Sequence, residues 1–394
     1  MPPTVLIDFT PLGTPTRRSG IGRYLLTLAH GLAELDPKTT NDLNLLALLS
    51  LNFPHKPVVT DNFRDVQSYP WPHQPTSAQR YEWAYNRRLA LWTATARTKA
   101  RIVHLGDPNA TPLALGLTGC KRVVTCHDLI PYHFPHIYMT ARDGFSTVGK
   151  LIIRRRYTSA DHIIAVSDFT RRDLMNTLNI PSSKITRVYN GINTSEWSPL
   201  DPGSDSSRLE NYSLSPRSYL LYVGDVDWRK NAEAMVRSLA IANQQGHDTT
   251  LVFAGHITHK RASIEQLASQ HNVANKVRFL GYVRDSDVHV LYRNAIALLL
   301  LSRTEGFGYT VIEAMASGCP VISTNLGSLA ELTHNAAIHV DPEEPQDTVN
   351  AIRELMSDAS LRSSLIGRGL ERAPQFASTH QAQATVDVFR KCLD

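Results

Sequence analysis

The sequence predicts an α/β protein of two doubly wound, parallel-sheet (Rossmann-like) domains facing across a cleft. Three observations carry this. The chain has 394 residues, more than a single hydrophobic core usually organises. Short apolar runs alternate with segments of helical period along its length, the pattern of a parallel sheet covered on both faces. The alternation breaks after Trp197, where residues 198–218 hold Pro199, Pro202, Gly203, Pro216 and several serines without a sustained apolar period, and then restarts. The expected division is an N-terminal domain at 1–197, a C-terminal domain at 198–374, and a last helix at 375–394 packing back on the first domain.

The elements follow in order. Residues 4–9 (TVLIDF) read as a short buried strand, followed by a turn at 11–20 and a helical pattern over 22–35. Further strands fit 43–51, 102–105, 123–126 and 162–166, with helices over 78–98, near 145–159 and over 168–178. Residues 52–77, rich in Pro and polar groups, read as an irregular loop. Beyond the break, strands fit 219–224, 250–254, 277–280, 295–301, 320–323 and 337–340, with helices between them.

Composition excludes several classes. Hydrophobic content of 42% and charged content of 20% suit a globular chain. No apolar run has the length of a bilayer span, and the start Met1-Pro-Pro-Thr lacks an export signal, so the expected location is cytoplasmic. Cys120, Cys126, Cys319 and Cys392 lack paired metal-ligand spacing and read as reduced thiols. Residues 1–200 carry 23 Lys+Arg against 14 Asp+Glu, a net +9, while residues 201–394 carry 18 against 22, a net −4. Basic groups such as Arg154-Arg155-Arg156, Arg171-Arg172 and Arg17-Arg18 could attract the inner face of an anionic membrane, giving a peripheral protein, or an anionic acceptor. No nucleic-acid module is present, so nucleic acid is not an expected partner.

The most informative segment is 301–320, LSRTEGFGYTVIEAMASGCP. It reads as a strand end, a turn between Ser302 and Tyr309, and a helix. Gly306 and Gly308, with Phe307 between them, would let backbone approach a ligand closely, and the first amides of the helix would face an anion. Glu305 on the loop and Glu313 on the helix can reach different hydroxyls of one extended ligand. Tyr222-Val-Gly-Asp-Val-Asp-Trp-Arg-Lys-Asn231 ends a strand in glycine and puts Arg229 and Lys230 at the carboxyl edge of the second sheet, where two cations can neutralise a diphosphate. Gly20 and Gly22 open a helix after the first strand and offer main-chain amides to the same kind of group. His127 follows a buried strand at an edge facing the cleft. No Ser-His-Asp order, His-Glu-x-x-His helix or paired Cys-x-x-Cys site occurs, and nothing calls for a metal or a cofactor.

Glu305-x7-Glu313 with the tail Ala314-Met-Ala316-Ser-Gly318-Cys-Pro320-Val-Ile322 resembles the signature of glycosyltransferase family 4, retaining enzymes of GT-B fold. Residues 161–173, 184–193 and 279–285 resemble other segments of that family. The resemblance implies that Glu305 lies against the transferred sugar, Glu313 holds the ribose, Arg229 and Lys230 bind the diphosphate, and the turn at Gly20 and Gly22 faces it. It further implies that His127 contacts the sugar and that Tyr282 belongs to the base-side segment. Many members carry an arginine just after the strand-ending glycine, where this chain has Asp225. The expected activity is metal-independent transfer of a hexose from a nucleoside-diphosphate sugar to a hydroxyl of a glycan or lipid-linked acceptor. Overall likeness to mannosyltransferases of polysaccharide assembly favours GDP-mannose as donor, with UDP-glucose or another UDP-hexose as the alternative. A nucleotide-sugar epimerase or hydrolase of the same architecture and a non-catalytic binding protein are the rival classes.

Overall fold

The computed structural model describes residues 2–50, 64–69, 77–107, 119–139, 146–194, 196, 197, 199, 203, 205–257 and 260–394. The chain forms two compact units, Met1–Asn193 with Ala377–Asp394, and Thr194–Phe376.

The first unit is built on seven parallel strands: β1 (Thr4–Asp8), β2 (Asn44–Ser50), β3 (Arg64–Tyr69), β4 (Ile102–Leu105), β5 (Lys121–Cys126), β6 (His162–Ala165) and β7 (Ile185–Arg187). Their order is β3-β2-β1-β4-β5-β6-β7, with Val5 opposite Leu45 on one side and Ile102 on the other. Successive side chains alternate between two cores, one on each face of the sheet. Val5, Ile7 and Phe9 join one core with Tyr24, Leu25 and Leu28 of helix Gly20–Glu34 and Val386 and Phe389 of helix Ser378–Leu393. Leu6, Val103 and Val124 join the other with Leu91 and Ala94 of helix Ser77–Thr98 and Tyr157 of helix Ser146–Thr158.

Helices Gly20–Glu34 and Ser378–Leu393 pack without space for a side chain at Gly31, where a Cβ would lie 2.0 Å from the Ser378 carbonyl oxygen. Gln381 ties the second of these helices down: its Oε1 accepts from the Gly191 amide and from Thr27 Oγ1, both at 2.9 Å. Ile192 and Ala377 form a parallel bridge, and the Ser378 amide donates to Ile192 O at 2.9 Å.

The second unit repeats the winding with β8 (Tyr219–Val223), β9 (Thr250–Ala254), β10 (Val277–Gly281), β11 (Ala297–Leu300), β12 (Val321–Ser323) and β13 (Ile338–His339), in the order β10-β9-β8-β11-β12-β13, all parallel. Each sheet therefore reverses its winding direction at one place, between β1 and β4 and between β8 and β11, the position at which open α/β sheets bind ligands.

Two readings are amended. Within the stretch 52–77, expected to be an irregular loop, residues 64–69 pair as edge strand β3; the rest, Ser77 aside, lies outside the described residues. Within the break at 198–218, expected to lack regular structure and to separate the two domains, Asp205–Glu210 is a helix of the second unit. It is fixed by an ion pair from Asp205 to Arg293 at 2.6 Å and by buried Leu209, so low apolar periodicity there reflects polar anchoring.

Candidate active site

At the switch point of the second sheet, β8 runs into Gly224 at φ +123° and then Asp225–Asp227. Gly255, the residue after β9, is forced to be glycine, because a Cβ there would lie 2.4 Å from Gly224 O and its φ is +146°. Tyr222 Oη donates to Asp225 O at 2.6 Å and so holds the loop against the strand it leaves. The chain then makes one tight turn, Trp228–Lys230, capped by Asp227, whose carboxylate accepts from the Lys230 amide at 3.2 Å, before helix Ala232–Gln244 begins.

That turn delivers two adjacent cations onto one carboxylate. Lys230 Nζ donates to Glu305 Oε1 at 2.6 Å, and Arg229 Nη1 donates to Glu305 Oε2. Glu305 comes from the loop after β11 and is 3% exposed; Ser302 Oγ donates to its Oε1 at 2.8 Å. Burial favours the neutral form of the Glu305 carboxyl and so pushes its pKa up, but the charges of Lys230 and Arg229 outweigh this and hold the pKa below the usual carboxylate range. Burial pulls the Lys230 ammonium below the ordinary lysine value, opposed by Glu305. The two cations remain partly exposed, with about a fifth of each side chain accessible, 21% for Arg229 and 19% for Lys230.

Both loops are braced by residues that the sequence did not single out. The Arg303 amide donates to Arg229 O and its Nη1 donates to Trp228 O, each at 2.8 Å, while its guanidinium lies 5.3 Å from the Trp228 ring centroid. Gly327, at φ +65°, lies against the Glu305 backbone, where a Cβ would meet both N and O at 2.6 Å, and the Ser328 amide donates to Glu305 O at 3.0 Å. The Asn-Leu-Gly-Ser turn after β12 is the signal that could have found Gly327; Arg303 carries no sequence signal beyond its place in the loop.

The remaining predicted residues are distributed as follows. Gly308 caps helix Tyr309–Ala316, and its missing side chain makes room for Leu329, 2.7 Å from a Cβ placed there. Phe307 packs edge-on against Tyr309 and Phe376. Gly306, between Phe307 and Glu305, is buried. Glu313 is 1% exposed and accepts from Tyr292 Oη at 3.2 Å; residues 311–316 are buried all round, so a spacing of eight from Glu305 does not turn this carboxylate toward solvent.

Tyr282, 68% exposed after Gly281, stacks on His256 with ring centroids 5.7 Å apart and planes at 23°. His256 follows Gly255 as Tyr282 follows Gly281, a repeat of glycine-aromatic at two neighbouring strand ends. Among the described residues, no three His, Cys, Asp or Glu side chains gather as a metal-binding group.

In the first unit, Gly22 must be glycine because turn Pro15–Arg18 covers it, with Thr16 O 2.3 Å from where a Cβ would lie, while Gly20 has open space. His127 Nε2 lies 2.7 Å from Gly106 O, a pure acceptor, so Nε2 carries the hydrogen and Nδ1 is left with its lone pair. Burial lowers the His127 pKa and so favours the neutral ring, outweighing the hydrogen bond to Gly106, which acts in the opposite direction. Tyr24 packs edge-on to His127 at 5.0 Å and shares Thr125 with His104: Thr125 Oγ1 is 2.9 Å from both Tyr24 Oη and His104 Nε2.

A doubly wound unit that presents fixed cations at its switch point suits a phosphate-bearing ligand. Two family models match, Glycosyltransferase Family 4 over residues 18–196 and Glycosyl transferases group 1 over residues 208–372. The chain belongs to glycosyltransferase family 4. It is 27% identical over 271 residues to O-antigen chain mannosyltransferase B of Escherichia coli, which covers 68% of this chain and 70% of that relative. Sucrose-phosphate synthase of Thermosynechococcus elongatus has the same fold, with a TM-score of 0.77 at 20% identity over 100% of this chain and 99% of that one. So does Anabaena Alr3699/HepE in complex with UDP and glucose, with a TM-score of 0.72 at 16% identity over 99% and 100%. The fold is GT-B.

Proposed function

We propose that this glycosyltransferase is a retaining hexosyltransferase that moves mannose from GDP-mannose to a hydroxyl of a glycan or lipid-linked acceptor. The observation that carries the transfer chemistry is the convergence of Arg229 and Lys230 on Glu305 at the switch point of the second sheet. A donor diphosphate carries more negative charge than one carboxylate, so it would take over both cations and leave Glu305 to accept hydrogen bonds from the sugar. As the bond between the anomeric carbon and the diphosphate oxygen breaks, Arg229 and Lys230 stabilise the charge on the leaving group. The acceptor oxygen bonds to the anomeric carbon from the same face, and its proton passes to the departing phosphate oxygen, releasing the nucleoside diphosphate.

In this reading no divalent cation is needed. His127, through the Nδ1 lone pair, would accept from a hydroxyl of the sugar. Gly20 and Gly22 would turn backbone amides to the diphosphate, as would Gly306 and Gly308, with Phe307 between them. Tyr282 and His256 would stack on the base. The ribose role implied for Glu313 requires its carboxylate to share or exchange the hydrogen bond from Tyr292.

Mannose is supported by the Escherichia coli relative, and the alternative of a UDP-hexose donor by the structure solved with UDP and glucose. Mass spectrometry of products from a donor-by-acceptor screen, with chelator in parallel, tests the reading. Acceptor-dependent release of GDP with an α-linked mannosyl product that survives chelator supports it. A new sugar nucleotide formed without acceptor would point to an epimerase instead.

A further inference from the structure

Helices Ser77–Thr98 and Ser146–Thr158 cover the same face of the first sheet, through Leu91 and Ala94 on one and Tyr157 on the other. Their outward sides are unusual. Leu89 is 46% exposed and Trp92 53%, one turn apart on the first helix; Val148 is 47% exposed and Leu151 55%, one turn apart on the second. These are four of the eight large hydrophobic side chains exposed among the described residues. Isolated exposed apolar residues need no explanation, but paired turns on two helices of one layer do.

The charge on this layer is mostly positive, Glu82 of helix Ser77–Thr98 being the one acid in the two helices. Helix Ser146–Thr158 carries Lys150 and Arg154-Arg155-Arg156 and no acidic residue, and the stretch from Arg87 to Thr98 adds Arg88 and Arg97, again with no acid. Arg154 and Arg155 are exposed, one turn beyond Leu151 on the same outward side. Apolar side chains flanked by an excess of basic residues match a surface that offers both hydrocarbon and negative charge, which is an anionic bilayer. A second copy of the chain would set like charge against like. Among the described residues no helix is long and apolar enough to cross a membrane, so the contact would be peripheral.

We propose that the outward layer of helices Ser77–Thr98 and Ser146–Thr158 docks on an anionic lipid surface, with Leu89, Trp92, Val148 and Leu151 entering the headgroup boundary and Arg154 and Arg155 pairing with lipid phosphates. None of these residues belongs to the donor site, so the proposal stands or falls independently of the transfer reaction.

The test is cosedimentation of the full chain with phosphatidylcholine vesicles with and without phosphatidylglycerol. The wild-type chain should bind the anionic vesicles and be released by salt. Trp92→Glu with Leu151→Glu should weaken binding by at least about tenfold, and Arg154→Gln with Arg155→Gln by roughly thirtyfold at about 1 kcal/mol for each lost cation. Both double variants should keep the wild-type melting temperature and the wild-type turnover with a water-soluble acceptor, which separates lost docking from lost folding or lost chemistry. Equal binding to neutral vesicles, or unchanged binding by either double variant, overturns the proposal. A wild-type dimer that Trp92→Glu with Leu151→Glu converts to monomer would assign the surface to a second copy and likewise overturn it.

Discussion

Lys230 Nζ and Glu305 Oε1 lie 2.6 Å apart although 75 residues separate them in the chain. The pair exists because β8 and β11, which carry the two loops, are neighbours in the sheet. Replacing Lys230 by Ala should lower turnover by roughly a hundredfold to a thousandfold, the usual cost of losing one preorganised charge at a reacting centre. Circular dichroism should show an unchanged fold. Near wild-type turnover would remove Lys230 from the leaving-group role.

Arg303 touches neither charge of that pair and acts through the turn that presents them. Arg303→Ala should reduce kcat by about tenfold, in line with the sensitivity of catalysis to small displacements, with donor KM less affected. Arg303→Lys should restore little, since a single ammonium cannot both donate to Trp228 O and keep the guanidinium's contact with the Trp228 ring. Full rescue by Lys would show that only charge matters at this position.

Gly327→Ala places a Cβ against Glu305 N and O in a backbone conformation at φ +65°. Stability should fall by about 1–3 kcal/mol, the range for a strained backbone position, and turnover should fall with it as Glu305 shifts. Urea denaturation alongside steady-state kinetics reads both. A loss of stability with turnover intact would detach Gly327 from the site.

His104, fully buried against Phe389, Thr125 and Tyr24, has its value lowered from 6.5 to about 3 by burial first and by the neighbouring His127 second. The folded protein therefore binds fewer protons at this position than the unfolded chain, and the associated stability is complete above pH 6.5 and is lost as pH falls toward 3. His104→Gln should flatten the urea midpoint across that window relative to wild type. Parallel curves for the two proteins would refute the assignment.

Tyr282→Ala should raise donor KM by roughly tenfold and leave kcat nearly unchanged, because stacking on a base contributes about 1–3 kcal/mol to binding. Kinetics at saturating donor distinguishes this from an effect on chemistry.

The sequence was most readable where physics left few options. Strands β9 and β11 are buried on both faces and read as unbroken apolar runs, so Thr250–Ala254 and Ala297–Leu300 stand out at once. Edge strand β3, Arg64–Tyr69, has the sequence RDVQSY and only one aliphatic residue, because an edge position is paired on one side alone, and β7 is only three residues long. At the site, Arg229, Lys230 and Glu305 were legible because a strand end, a glycine and a charge occur together. Gly308 and Gly22 were legible as constrained positions, yet in each the close neighbour is the protein's own chain, Leu329 and Thr16, and a sequence does not distinguish that from a ligand. His256 and Arg303 were not legible, and Gly327 was legible only as a turn glycine, since each acts through a partner brought near only by the winding of the sheet.

The helix Ser378–Leu393 contributes Val386, Val388 and Phe389 to the core beneath β1, while Gly31 and Gly191 are shaped to receive its first residue. During synthesis the first unit emerges from the ribosome before the second but lacks this helix until the whole of the second has followed. Its nascent form must wait with an apolar face of helix Gly20–Glu34 uncovered, so the later-made unit is the one free to mature first.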